Sequence, residues 1–125
     1  MKPAAFHPSG QHLLADLSAI AGERLTDPAE LEQLMLRAAQ AAGATVLSSH
    51  FHHFGSSQGV TGVVLLAESH MSIHTWPESG FAALDIFMCG GSKPQRALQV
   101  IQEALQPGEC AVQTVLRGQT LALPA

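Results

Sequence analysis

Between Ala44 and Gly90 the chain breaks into four short apolar or alternating runs, ATVLSSHFHHF, GVTGVVLLAE, MSIHTW and GFAALDIFMCG, separated by Gly, Ser and Pro. Runs of that length bounded by turn residues read as strands, and connections of hairpin length favour antiparallel pairing. Whatever flanks them must pack onto the sheet they form. Ahead of them, Thr26-Asp27-Pro28-Ala29-Glu30 has the entry chemistry of a helix: Asp27 can cap it, Pro28 suits the first turn and Glu30 completes a capping box. Leu31, Leu34, Met35, Ala38, Ala39 and Ala42 then share one helical face, Glu32, Gln33, Arg37 and Gln40 the other, and Gly43 offers a stop. Ser92-Lys93-Pro94 opens a second helix with an apolar stripe of Leu98, Ile101 and Leu105, ended by Pro107-Gly108. His12 to Ile20 reads as a first strand and Cys110 to Leu116 as a last one. The expected fold is α/β, a two-layer α/β sandwich with a mainly antiparallel sheet and two helices on one face. Because Val60 to Ala67 is apolar at nearly every residue, both sheet faces should be buried, which predicts a second copy of the chain against the open face, a homodimer.

Length and charge narrow the partners. At 125 residues, 46% hydrophobic and 13% charged, the chain makes a single packed domain over 1–125. Its net charge of −4 and pI near 5.9, with Lys2, Arg24, Arg37, Lys93, Arg96 and Arg117 scattered, leave no basic stripe for nucleic acid. The start, MKPAAFHPSGQHLLADL, lacks the pattern of a secretory signal, and no stretch approaches the ~20 apolar residues of a membrane span. A cytoplasmic protein without membrane contact is expected. Cys89 and Cys110 form no CxxC pair and give little reason to expect a disulfide.

Three features could carry chemistry. In His50-Phe51-His52-His53-Phe54, strand geometry puts His50 and His52 on one face and His53 on the other, but no Cys, Asp or Glu lies nearby in sequence to complete a metal site; polar residues at a strand end or interface account for them better, and no metal is expected. In Glu68-Ser69-His70-Met71-Ser72-Ile73-His74-Thr75-Trp76-Pro77-Glu78, a carboxylate, hydroxyls and imidazoles interrupt a run built for burial. Polar groups there need hydrogen-bond partners, so the segment reads either as a site or as a turn followed by a satisfied core histidine. No Gly-x-Ser-x-Gly elbow surrounds Ser69 or Ser72, which weakens a hydrolase reading. Cys89, before Gly90-Gly91, is a buried structural thiol or a reactive one facing a pocket.

Taken together, ESHMSIHTWPESGFAALDIFMCG resembles the core of the bacterial S-adenosylmethionine decarboxylase proenzymes, the short pyruvoyl-dependent class, and the likeness extends through GQHLLADL, ATVLSSHFHHF and GVTGVVLLAESH. It implies that the chain cleaves itself between Glu68 and Ser69 into a β chain, 1–68, and an α chain, 69–125, that begins with a pyruvoyl group derived from Ser69. Ser69 Oγ would attack the Glu68 carbonyl, Thr61 would assist, and His74 would take the Ser69 α-proton, since imidazole exchanges protons near neutrality. In turnover the pyruvoyl ketone would condense with the substrate amine as a Schiff base and accept the electrons released with CO₂, and Cys89 would return a proton. The resemblance sets Glu68 near the methionyl part of S-adenosylmethionine, Glu78 on the ribose hydroxyls and Phe54 against adenine, with Phe6, His7 and Trp76 as candidates for the opposite wall. Thr61 stands where a serine is familiar. The implied product is the aminopropyl donor for spermidine synthesis, made by a homodimer of processed αβ protomers. Alternatives are a pyruvoyl-dependent decarboxylase of a basic amino acid such as ornithine or arginine, and an uncleaved homologue that only binds a ligand.

Overall fold

The protein is described here by a computed structural model of residues 9–119. Six strands form one sheet in the order β2-β3-β4-β5-β1-β6, with every neighbouring pair antiparallel: β1 Gly10–Ser18, β2 Val46–His53, β3 Val60–Leu66, β4 Ser69–Trp76, β5 Phe81–Cys89 and β6 Glu109–Arg117. Helix α1, Pro28–Ala41, follows β1 through a short 3-10 turn at Gly22–Leu25, and α2, Pro94–Leu105, precedes β6. Both helices lie on one side of the sheet and pack on each other, which is the expected two-layer sandwich. No helix among the described residues is long and apolar enough to cross a membrane.

The start of α1 follows from its capping residues. Asp27 Oδ1 accepts from Ala29 N at 2.9 Å and Glu30 N at 3.4 Å, and Pro28 occupies the first turn, where its missing N–H has no partner to lose. Gly43 leaves the helix at φ +81°. The buried stripe Leu31, Leu34, Met35, Ala38 and Ala39 meets the inward side of the sheet, and α2 adds Ala97, Leu98, Ile101 and Leu105.

Strand parity sorts the sheet residues. Leu13, Ala15 and Leu17, then Val64 and Leu66, Met71 and Ile73, and Leu84, Ile86 and Met88 point to the helices and are buried. Their neighbours Thr61, Val63 and Leu65, His70, Ser72 and His74, and Phe81, Ala83, Asp85, Phe87 and Cys89 point to the other side. Within one chain that second face is open: Leu65 is 48% exposed and Leu14 36%, where the apolar run Val60 to Ala67 predicted burial on both faces.

Several strand limits differ from the sequence reading by one or two residues, and two of them have a specific cause. The first strand ends at Ser18, because Ala19 takes a left-handed φ of +56°; Ile20 is buried outside the sheet, its N–H bonded to Gly80 O at 3.0 Å. Burial, which sequence reports, does not distinguish a strand from a loop that plugs its end. β4 starts at Ser69, two residues earlier than Met71, because Glu68 at φ +59° closes a two-residue turn that pairs Leu66 with Ser69.

Ile73, fully buried at the centre of β4, should cost about 2–5 kcal/mol when cut to Ala, whereas the same change at Leu47, 66% exposed, should cost under about 0.5 kcal/mol; urea unfolding of the two variants checks this.

Candidate active site

The residues singled out in the sequence gather in two places. One lies where β3 begins and β4 ends. Thr61 and His74 are cross-strand partners on the open face, and Thr61 Oγ1 is 3.0 Å from His74 Nδ1. Beside them a cleft of about 350 Å³ is lined by Phe54, Gln58, Gly59, Thr61, His74, Thr75, Trp76 and Glu78. Phe54 is 61% exposed and Trp76 42%, so two partly exposed aromatic rings border the cleft. The Phe54 ring stands edge-on to His52 at 4.6 Å, and Trp76 packs on Phe81 at 5.4 Å. Of the candidates for the wall opposite Phe54, Trp76 lines this cleft, while Phe6 and His7 lie outside the described residues.

The backbone of this corner is held by close approaches. A Cβ on Gly59 would fall 2.0 Å from Thr75 O and one on Gly22 would fall 2.8 Å from Pro77 O, so the 3-10 turn at Pro77–Ser79 that carries Glu78 is clamped against the turn after β1. Thr75 completes the clamp. It is 5% exposed, donates from Oγ1 to Leu25 O at 2.8 Å and accepts from Val60 N at 2.9 Å, joining three segments in one hydroxyl. Sequence reading passed over Thr75 as a functional support; the signal was its inward phase on β4, shared with Met71 and Ile73, where a hydroxyl must find partners.

The second place is the opposite end of the same sheet. Glu68 closes the β3–β4 turn, Ser69 opens β4, and Cys89 ends β5 alongside. Glu68 holds a left-handed φ of +59°, a conformation that costs a non-glycine residue about 1–3 kcal/mol, so the peptide that joins it to Ser69 leaves a strained residue. Ser69 Oγ donates to Ala67 O at 3.2 Å. The Cys89 thiol is pushed above its usual range, first by burial and second by the Glu68 carboxylate, and so keeps its proton at neutral pH.

A single chain does not unite these groups. Ser69 and His74 are five residues apart on β4, a separation of about 17 Å at the rise of a strand. Between the two places, on the same face, His12 Nε2 lies 3.0 Å from Asp85 Oδ1, and Ser72 Oγ donates to Asp85 Oδ2 at 3.4 Å. His50 and His52 are exposed on that face and His53 points the other way, as strand parity requires, and no group of three or more His, Cys, Asp or Glu assembles among the described residues to hold a metal.

Comparison with known proteins adds an independent line. The sequence profile of the S-adenosylmethionine decarboxylase family matches residues 11–118. The chain is 42% identical over 110 residues to an S-adenosylmethionine decarboxylase proenzyme of Methanococcus maripaludis, covering 87% of this chain and 89% of that protein. It is 41% identical over 119 residues to the proenzyme of the same description from Acidithiobacillus ferrooxidans, covering 93% and 89%. The crystal structure of the adenosylmethionine decarboxylase from Aquifex aeolicus superposes with a TM-score of 0.84 at 38% identity, covering 93% of this chain and 96% of that one.

The causes of the Cys89 shift can be separated. In the pH dependence of iodoacetamide modification, the inflection for Cys89 should lie above that of an ordinary thiol, with Cys110 replaced by Ser to isolate it; Glu68→Gln should bring it partly back, because burial is the larger cause and remains.

Proposed function

The chain belongs to the S-adenosylmethionine decarboxylase family, an enzyme family that makes the decarboxylated nucleoside used in polyamine synthesis, and we propose that its active centre is built from two copies of this sheet. The observation that carries this is the distance of about 17 Å between Ser69 and the Thr61–His74 pair of its own chain, with Thr61, His74 and Cys89 all on the one open face. Two open faces packed around a two-fold axis set the Glu68–Ser69–Cys89 end of each chain against the Thr61–His74–Glu78 end of the other. The homodimer then covers the half-exposed Leu14, Val63 and Leu65 and completes two equivalent sites.

Maturation begins at the strained Glu68–Ser69 turn. Ser69 Oγ attacks the Glu68 carbonyl carbon and the backbone passes to an ester. If His74 donates Nδ1–H to Thr61 Oγ1, the Thr61 O–H is free to donate to the oxygen that gains charge during this attack, and His74 Nε2 is left unprotonated. That nitrogen removes the Ser69 α-proton and the ester leaves by elimination as the Glu68 carboxylate, which separates a β chain, 1–68, from an α chain, 69–125; the dehydroalanine at the head of the α chain tautomerises to an imine, and water hydrolyses it to a pyruvoyl group with release of ammonia. The residues fit that group: a serine at the first position of a strand, preceded by a glutamate in a left-handed conformation and with a protonated thiol at the end of the adjacent strand. The pyruvoyl group supplies an electrophilic carbonyl that takes up the electron pair left when CO₂ departs.

The chain's other residues bind and protonate. Phe54 and Trp76 offer ring faces for the adenine base, and ring faces also attract the sulfonium charge. Glu78, on its clamped turn, accepts hydrogen bonds from the ribose hydroxyls, and Glu68 faces the methionyl chain. Cys89, protonated at neutral pH, gives its proton to the substrate carbon after CO₂ has left.

Intact mass under denaturing conditions should show two chains that break at Glu68, the second starting with pyruvoyl, and Ser69→Ala should remain one chain. Co-purified Ser69→Ala and His74→Asn chains should restore partial cleavage of the His74→Asn chain, which alone is uncleaved; the absence of any cleavage in the mixture would count against a site shared between copies. Glu78→Gln should lower kcat/KM about tenfold or more while cleavage proceeds as in the wild type.

A further inference from the structure

Cys89, Gly10 and Arg117 occupy one row of the open face, across β5, β1 and β6, because Gly10 pairs with Cys89 on one side and with Arg117 on the other. Gly10 leaves a gap in that row that no other residue could leave. A Cβ there would sit 2.6 Å from Met88 O, 2.9 Å from Cys89 Sγ and 3.2 Å from the Phe87 ring. Across this gap the exposed Arg117 reaches from the edge strand to the ring of Phe87: its Cζ is 5.6 Å from the centroid of Phe87, which precedes Cys89 by two residues on the same face. Arg117 has no carboxylate partner among the described residues, whose one ion pair joins His12 to Asp85.

We propose that Arg117 binds the α-carboxylate of the substrate and thereby separates S-adenosylmethionine from its decarboxylated product. The inference rests on the proposed site, in which the amino-acid end of the substrate lies at residue 69 beside Cys89. That end carries a carboxylate; of the ionisable groups nearby, the Glu68 carboxylate and a thiol that keeps its proton cannot receive an anion, His12 is engaged by Asp85, and His70, like His12, packs on Phe87 without the permanent charge of a guanidinium. The guanidinium is the group in that row that can. Its planar fork matches a carboxylate with two parallel N–H donors, and a contact with the Phe87 ring through the guanidinium face does not use the N–H edge. Glu68 and Arg117 thus read opposite charges, the sulfonium and the carboxylate. When the bond from the α-carbon to the carboxyl breaks, its electron pair stays on the substrate side, CO₂ leaves uncharged, and Cys89 supplies the proton that replaces it. The product has nothing for Arg117 to hold, so the contact favours substrate over product at the same pocket.

The test compares wild-type, Arg117→Gln and Arg117→Lys enzymes after cleavage. In Arg117→Gln, KM for S-adenosylmethionine should rise about 10- to 100-fold, the range expected for loss of a charge-assisted hydrogen bond, without a matching fall in kcat. The inhibition constant of the decarboxylated nucleoside, the rise in Tm it causes and the extent of cleavage at Glu68 should all stay at wild-type values. Arg117→Lys, which keeps the charge and loses the fork, should fall between the two. An unchanged KM in Arg117→Gln overturns the proposal, as does an equal loss of affinity for substrate and product, which would mark Arg117 as a support of the pocket. A wild-type enzyme that cleaves but does not decarboxylate S-adenosylmethionine overturns the underlying reading, a result seen before any variant is compared.

Discussion

Both helices pack on the same side of the six-stranded sheet, and from that placement each strand residue takes one of two fates by its parity. Inward residues are apolar almost without exception and form a core with α1 and α2. Outward residues include most of the imidazoles, hydroxyls and carboxylates of the strands, interleaved with Val63, Leu65, Leu14 and Phe87. A face of that composition is too apolar to be left to water and too polar to be an ordinary core. It suits a surface that is covered by a matching one, with a site at each end where polar groups keep a function.

Rigidity is concentrated where the chemistry needs it. At the Thr61–His74 end, the Thr75 hydroxyl and the close backbone approaches at Gly59 and Gly22 bind β3, β4 and the two 3-10 turns into one unit, so the His74 ring and the Glu78 carboxylate sit on supports that cannot drift apart. The Glu68–Ser69 end is different. A left-handed glutamate in a two-residue turn is held by the pairing of β3 with β4 on either side, and in the proposed maturation release of that strain accompanies loss of the peptide bond.

Between the ends, the His12–Asp85–Ser72 contacts satisfy a carboxylate that would otherwise face an apolar surface unpaired. An unpaired carboxylate there would oppose any close covering of the face, since burying a charge without partners is expensive. Placing a histidine and a serine on neighbouring strands at the Asp85 level removes that obstacle within one chain.

Sequence alone determined the element order, the capped start of α1, the inward stripes and the family, because these depend on residues close together in the chain: Asp27 with Pro28, the helical spacing of Leu31 to Ala42, the string from Glu68 to Cys89. It also drew attention to Ser69 and His74, which interrupt a run otherwise suited to burial, and through the family resemblance to Cys89. Strand limits at Ser18 and Ser69 escaped it, because burial of Ile20 and the left-handed turn at Glu68 are set by what packs against them. Three further facts depended on the tertiary structure: that Ser69 and His74 stand at opposite ends of one strand, that Thr75 ties three segments together, and that Arg117 reaches over Phe87 through the gap at Gly10. Each is a relation between residues far apart in the chain, fixed by strand register, and register is settled only when every strand has found its neighbours.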